Sequence, residues 1–169
     1  MEETLKKPFK LNLASGNDYR EDYMNIDDCS MGDFKTDKKE DIKIMNWDSN
    51  SVDEILLSHF MMYIDTKEAP LLFEKWYRWL KIGSKLIIET GDLKKIAKTI
   101  VYSDDPEIIN GTNGAMQLFG WDKTKGHTWA WCYETLEPLL LQAGFKNIKR
   151  EDGGLHNRPE RDLTITATK

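Results

Sequence analysis

Short apolar runs separated by polar turns set the rhythm of this chain. FKLNLA (Phe9 to Ala14), YMNID (Tyr23 to Asp27), DIKIM (Asp41 to Met45) and VDEILLS (Val52 to Ser58) each have the length and composition of a buried strand. In TKEAPLLFEKWYRWLKIG the period changes: Leu72, Trp76, Trp79 and Leu80 share one face at helical spacing, and Gly83 supplies a stop. SKLIIET predicts another buried strand, YETLEPLLLQAG a second helix, and FKNIKRE with the alternating RDLTITATK a terminal strand pair. Strands and helices in this order predict an α/β protein: a Rossmann-like, doubly wound, mostly parallel sheet with a C-terminal antiparallel strand. Residues 1–169 are expected to form one domain, with about 104–125 a cap or insertion over one end of the sheet.

Composition narrows the function classes. Apolar residues make up 40% of the 169 residues and six are Trp, enough for a packed core and too apolar for a disordered chain. Twenty-four scattered basic residues against 29 acids leave a net charge of −5, which disfavours nucleic acid as a partner. Cys29 and Cys132 are too few and too far apart for a metal knuckle, so no metal site is expected and both are taken as free thiols. MEETLKKPFK lacks the apolar stretch of a signal peptide, and no run approaches a membrane span of about 18 residues. A soluble, cytoplasmic monomer or homodimer is expected.

The turn after the first strand carries the candidate chemistry. In open α/β sheets, ligands lie beyond the carboxyl ends of the strands where strand order reverses, and the first strand borders that point. Ala14, Ser15 and Gly16 let a ligand lie close to backbone, and Asp27, with Asp28 beside it, ends the second strand where a carboxylate can accept ribose hydroxyls. The connection SGNDYREDY is a compressed crossover of nine residues, too short for the glycine-rich turn and helix that bind a pyrophosphate. This weakens a nicotinamide-dependent reductase and leaves an adenosine without phosphates.

LNLASGNDYREDYMNID resembles the opening motif LNLGCGxxYxxGYxNVD of class I S-adenosylmethionine-dependent methyltransferases, in particular the small stand-alone, type 11-like group. DIKIMNWDSNSVDEILLSHFMMYID, LLFEKWYRWLKIGSKLIIETGDL, GHTWAWCYETLEPLLLQAGFKNI and RPERDLTITATK are similar to later segments of that family, in the same order. The resemblance implies S-adenosyl-L-methionine as cofactor. Leu13, Ala14, Ser15 and Gly16 would face its methionine part, Asp27 and Asp28 its ribose, Asp41 and Ile42 its adenine, and Ser58 and His59 its methyl group. Ala14-Ser15 stands where the family has Gly-Cys, and HFMMYI where it has HVLEHI, placing Met62 and Tyr63 in place of Glu and His.

Methyl transfer from a sulfonium asks mainly for alignment, plus removal of a proton from the acceptor where it has one. His127 in GHTWAW and His59 are the candidate bases, because imidazole titrates near neutrality; His59 is equally consistent with a structural histidine. Trp129, Trp131 and Tyr133 would form an aromatic wall near His127, and Tyr63 and Arg158 complete the expected acceptor site. His156 and Arg158 either decorate a hairpin or reach the mouth and bind an anionic acceptor, and Arg161 and Asp162 suit an ion pair anchoring the last strand. The expected activity is methyl transfer to an oxygen or nitrogen of a small-molecule or peptide-like acceptor; the alternative is a catalytically silent cofactor-binding regulatory or partner protein.

Overall fold

The computed structural model describes residues 8–120, 126–151, 154–156 and 158–169. Seven strands form one sheet: β1 (Lys10–Leu13), β2 (Met24–Asp27), β3 (Lys38–Lys39), β4 (Val52–Ser58), β5 (Leu80–Gly91), β6 (Lys146–Glu151) and β7 (Asp162–Thr168), in the order β3-β2-β1-β4-β5-β7-β6. The first five pair in parallel, while β7 runs antiparallel to both β5 and β6. Strand order therefore reverses between β1 and β4, and the mouth of the sheet opens there.

Period-two alternation sorts the side chains. Leu13, Ile26 and Leu57 occupy one register row and, with Leu86, Ile88 and Ile165, face the main core. Helix α1 (Glu68–Trp79) buries Ala69, Leu72, Phe73, Trp76 and Trp79, and packs beside α5 (Tyr133–Gln142), whose Leu136 and Leu140 enter the same core. Burying large side chains of this kind stabilises the fold by roughly 1.5–3 kcal/mol each. The alternate rows behave differently. They hold the buried polar residues Asn12 and Asn25, and further along Glu89 and Thr164.

Asn25 explains how the first crossover manages without a helix. Its side-chain amide donates to Arg20 O, Tyr23 O and Asp37 Oδ2, and its Oδ1 accepts from Arg20 N and Asn12 Nδ2. Asn12 in turn donates to Asp18 O at 2.6 Å. A buried amide pair thus supplies the partners that a helix would have given to this backbone.

Three expectations are corrected. The segment Asp41 to Met45 is a turn rather than a strand: Asp41 O accepts Ile44 N and Met45 N, and its Oδ1 accepts Lys43 N. Ile42 and Met45, three apart, both reach the core from that turn, whereas the third strand is the exposed pair Lys38–Lys39. Second, α1 ends at Trp79 instead of Gly83. Leu80 turns extended and pairs with Val52, and the positive φ of Gly83 (81°) belongs to the register irregularity before Lys85. Third, the sequence reading gave no helix after β5, but α2 (Leu93–Tyr102) forms there, with Asp92 accepting Lys94 N as its cap. The expected cap at 104–125 contributes α3 (Pro106–Asn110) and α4 (Ala115–Phe119), stacked on α2; its last positions, 121–125, and the N-terminal residues 1–7 lie outside the described residues.

Candidate functional site

A cavity of about 700 Å³ opens at the carboxyl ends of β1, β2 and β4. Ala14, Ser15, Gly16, Asp27, Asp28, Asp41, Ile42, Ser58, His59 and Tyr63 all line it. Leu13 does not: it is fully buried in the core, as its place in the Leu11/Leu13 alternation requires. The sequence reading missed Met31 and Phe34, which add apolar surface to the cavity lining.

The turn after β1 is built for close approach. Ala14 (φ 52°) and Gly16 (φ 48°) are both left-handed, and a Cβ built on Gly16 meets nothing within 4 Å, so its backbone borders open space. Asp27 Oδ2 accepts Gly16 N at 3.0 Å and its Oδ1 accepts Cys29 N at 2.7 Å, leaving each oxygen capacity for a further donor. Ser15 Oγ is buried without a hydrogen-bond partner among the described residues.

At the other wall the sheet register brings Ser58, Glu89 and Thr164 into one row across β4, β5 and β7. Glu89 is wholly buried. Its Oε1 meets Ser58 Oγ and His156 Nδ1, with His59 Nε2 3.5 Å away; its Oε2 accepts from Thr164 Oγ1, Leu155 N and His156 N. Burial pushes its carboxyl up, but hydrogen bonds from His59, His156 and the Leu155 amide outweigh that and hold the pKa at about 2. Burial likewise opposes the charged form of His59, yet the Asp162 and Glu89 carboxylates raise its pKa overall. Arg161 and Asp162 pair as expected, at 2.5 and 2.7 Å.

His59 and His156 also border a second cavity of about 430 Å³, with Tyr63, Gln117, His127, Arg158 and Arg161. Of the residues expected to bind acceptor, Tyr63 and Arg158 are there. His127 Nδ1 lies 2.7 Å from Gln117 O, which assigns the proton to Nδ1 and leaves Nε2 as an acceptor; Nε2 is buried without a partner among the described residues. Burial lowers the His127 pKa, so the ring is neutral at pH 7.

The aromatic wall is not formed. Trp131 is buried, its Nε1 donating to Met61 O (2.8 Å) and Ile64 O (3.2 Å), so it anchors the single 3₁₀ turn Met61–Tyr63. Trp129 is exposed and lines neither cavity, and Tyr133 on α5 bonds Glu137 and Ile148 O, turned to the helix and β6. A third cavity, of about 720 Å³, lies at the amino ends of the strands around Phe9, Tyr23, Ser51 and Lys81, the wrong end for a ligand in this kind of sheet.

No protein-family model matches the sequence, and no curated protein does. Solved structures match over nearly the whole chain. A SAM-dependent methyltransferase from Archaeoglobus fulgidus superposes with a TM-score of 0.63 at 16% identity, over 96% of this chain and 86% of that one. One from Methanosarcina mazei gives 0.62 at 16% identity, over 98% and 94%, and an S-adenosylmethionine-dependent methyltransferase from Mesorhizobium loti gives 0.60 at 11% identity, over 95% and 90%. The chain shares the Rossmann-like fold of these proteins. No helix among the described residues is long and apolar enough to cross a membrane.

Proposed function

We propose that this chain transfers a methyl group from S-adenosyl-L-methionine to an oxygen or nitrogen of a small-molecule or peptide-like acceptor. One observation carries the proposal: at the strand-order reversal a single cavity gathers the open backbone of Gly16, the unpartnered Ser15 hydroxyl and the Asp27 carboxylate. These are the groups an adenosyl amino acid needs: close backbone, a polar contact for its amino-acid end, and a ribose acceptor.

The fit extends along the cavity. Asp27 and Asp28 would accept the ribose hydroxyls, and Ile42 and Phe34 would flank the adenine, with Asp41 in reach of its amino group. Lys43 ties this wall to the far one through Tyr63 O (3.3 Å) and Glu68 (2.9 Å). When bound, the cofactor supplies a methyl group already activated on sulfur. His59 and Tyr63, which line both cavities, mark where the two reactants would meet. His127, neutral and with Nε2 as acceptor, would take a proton from an acceptor held in the second cavity, and Arg158 would hold an anionic substituent.

The test is incubation of the full chain with S-adenosylmethionine and a panel of small hydroxyl, amine and peptide acceptors, read by mass gain of a methyl group and by S-adenosylhomocysteine formed. Turnover that falls in His127→Ala with cofactor affinity intact supports the assignment. Tight cofactor binding without turnover on any acceptor class would instead favour the silent binding protein.

A further inference from the structure

The polar cluster at the wall between the two cavities holds more donors than a carboxylate can use. Three groups crowd each oxygen of Glu89: Ser58 Oγ, His59 Nε2 and His156 Nδ1 on one, Thr164 Oγ1, Leu155 N and His156 N on the other. A carboxylate offers about four lone-pair sites in all. His59 has the complementary difficulty. Its Nε2 lies 3.4 Å from the Arg161 Nη2 donor and 3.3 and 3.5 Å from the acceptors Asp162 Oδ2 and Glu89 Oε1, so neither protonation state of that nitrogen satisfies every neighbour.

We infer that His59, Glu89 and His156 form a binding site for a divalent transition-metal ion, with Zn²⁺ the best match to two imidazoles and one carboxylate. The three ligand atoms lie within 4.8 Å of one another. Ligands about 2.1 Å from a shared tetrahedral ion stand about 3.4 Å apart, and His59 Nε2 and Glu89 Oε1 are already at 3.5 Å. An ion shared by Glu89 Oε1 and the two imidazoles would relieve the crowding on that oxygen. The other oxygen stays fixed by Thr164 and the Leu155 amide, the outer support that metal-bound carboxylates require.

The backbone is shaped for this convergence. His59 holds φ at 51°, an uncommon conformation for a non-glycine residue, with its N–H bonded to Glu89 O at 2.8 Å. Gly154 lets the 154–156 segment close over the carboxylate, since a Cβ there would lie 2.5 Å from Glu89 Oε2. Both imidazoles border both cavities, so the remaining coordination positions face the space where reactants would meet. There the ion would hold the acceptor atom, a role that rests on the methyltransferase reading; the ion site itself does not.

The test is calorimetric titration of the dialysed full chain with Zn²⁺, paralleled by absorption spectra with Co²⁺, in the absence of cofactor. One equivalent of ion is expected, with Co²⁺ bands free of thiolate charge transfer. His156→Ala, a change at an exposed residue, should weaken binding more than about tenfold with the thermal transition retained, and Glu89→Gln should weaken it as well. Three results would overturn the site: no Zn²⁺ uptake, affinity unchanged in both variants, or a thiolate band pointing to Cys29 or Cys132. Parallel titration of the same samples with S-adenosylhomocysteine separates the two ideas, because cofactor binding without metal sinks only the ion site, and metal without cofactor sinks only the methyltransferase reading.

Discussion

The carboxylate of Asp27 holds the backbone of Gly16: Oδ2 accepts its N–H at 3.0 Å across the end of the parallel β1–β2 pair. One side chain therefore shapes the turn and presents the acceptor proposed for a ribose. Asp27→Ala removes both functions and strands the amides of Gly16 and Cys29. Each charge-assisted bond is worth about 1.5–3 kcal/mol, so S-adenosylhomocysteine affinity should fall by about ten- to a hundredfold, accompanied by a lower melting temperature. Asp27→Asn, which keeps an acceptor oxygen, should lose less of both. Calorimetry and thermal melts on the two variants check this.

Ala14 has φ at 52°, where its methyl group is strained. Ala14→Gly should stabilise the protein by about 1 kcal/mol, a rise of about 2–4 °C in melting temperature for a chain of this size. A β-branched Ala14→Val should do the opposite. Differential scanning calorimetry distinguishes the signs.

Trp131 and Trp129 are two apart and face opposite environments. Trp131→Phe leaves Met61 O and Ile64 O without their indole donor, at a cost of about 1–3 kcal/mol. Trp129→Ala, at an exposed position, should stay within about 0.5 kcal/mol of the parent. Urea denaturation of both variants reads the contrast directly.

His127 gives a pH dependence of definite sign. Burial lowers its folded pKa below the ordinary 6.5, so between those two values the unfolded chain binds the extra proton. Its contribution is therefore present above pH 6.5 and lost as pH falls through the folded pKa. Melting temperature measured from pH 7.5 to 5 should drop more steeply in the parent than in His127→Gln; parallel curves would show that the ring does not titrate as a buried group.

Much of this was legible in the sequence, and the losses have physical causes. The apolar runs around LNL and ILL and the alternation of LTITAT exposed the strands, because the sheet buries these residues in the core. β3 escaped because two exposed lysines carry no pattern and are strands only through pairing with Ile26 and Asp27. Helix α2 did carry a signal, with Leu93, Ile96 and Ile100 at helical spacing behind an Asp cap. In the site, the Ser15 and Asp27 positions followed from strand order. The Glu89 cluster did not: His156 lies 67 positions from Glu89, and only the antiparallel return of β7 brings the preceding loop over it. Local composition also misassigned Trp131, which the two carbonyls of the 3₁₀ segment hold as structure.

The most direct measurement is isothermal titration of the full chain with S-adenosylhomocysteine, with NADH as the control ligand. The account predicts one saturable site for S-adenosylhomocysteine, weakened in Asp27→Ala, and no heat of binding with NADH. Absence of S-adenosylhomocysteine binding by a folded chain, or binding indifferent to Asp27, would contradict it.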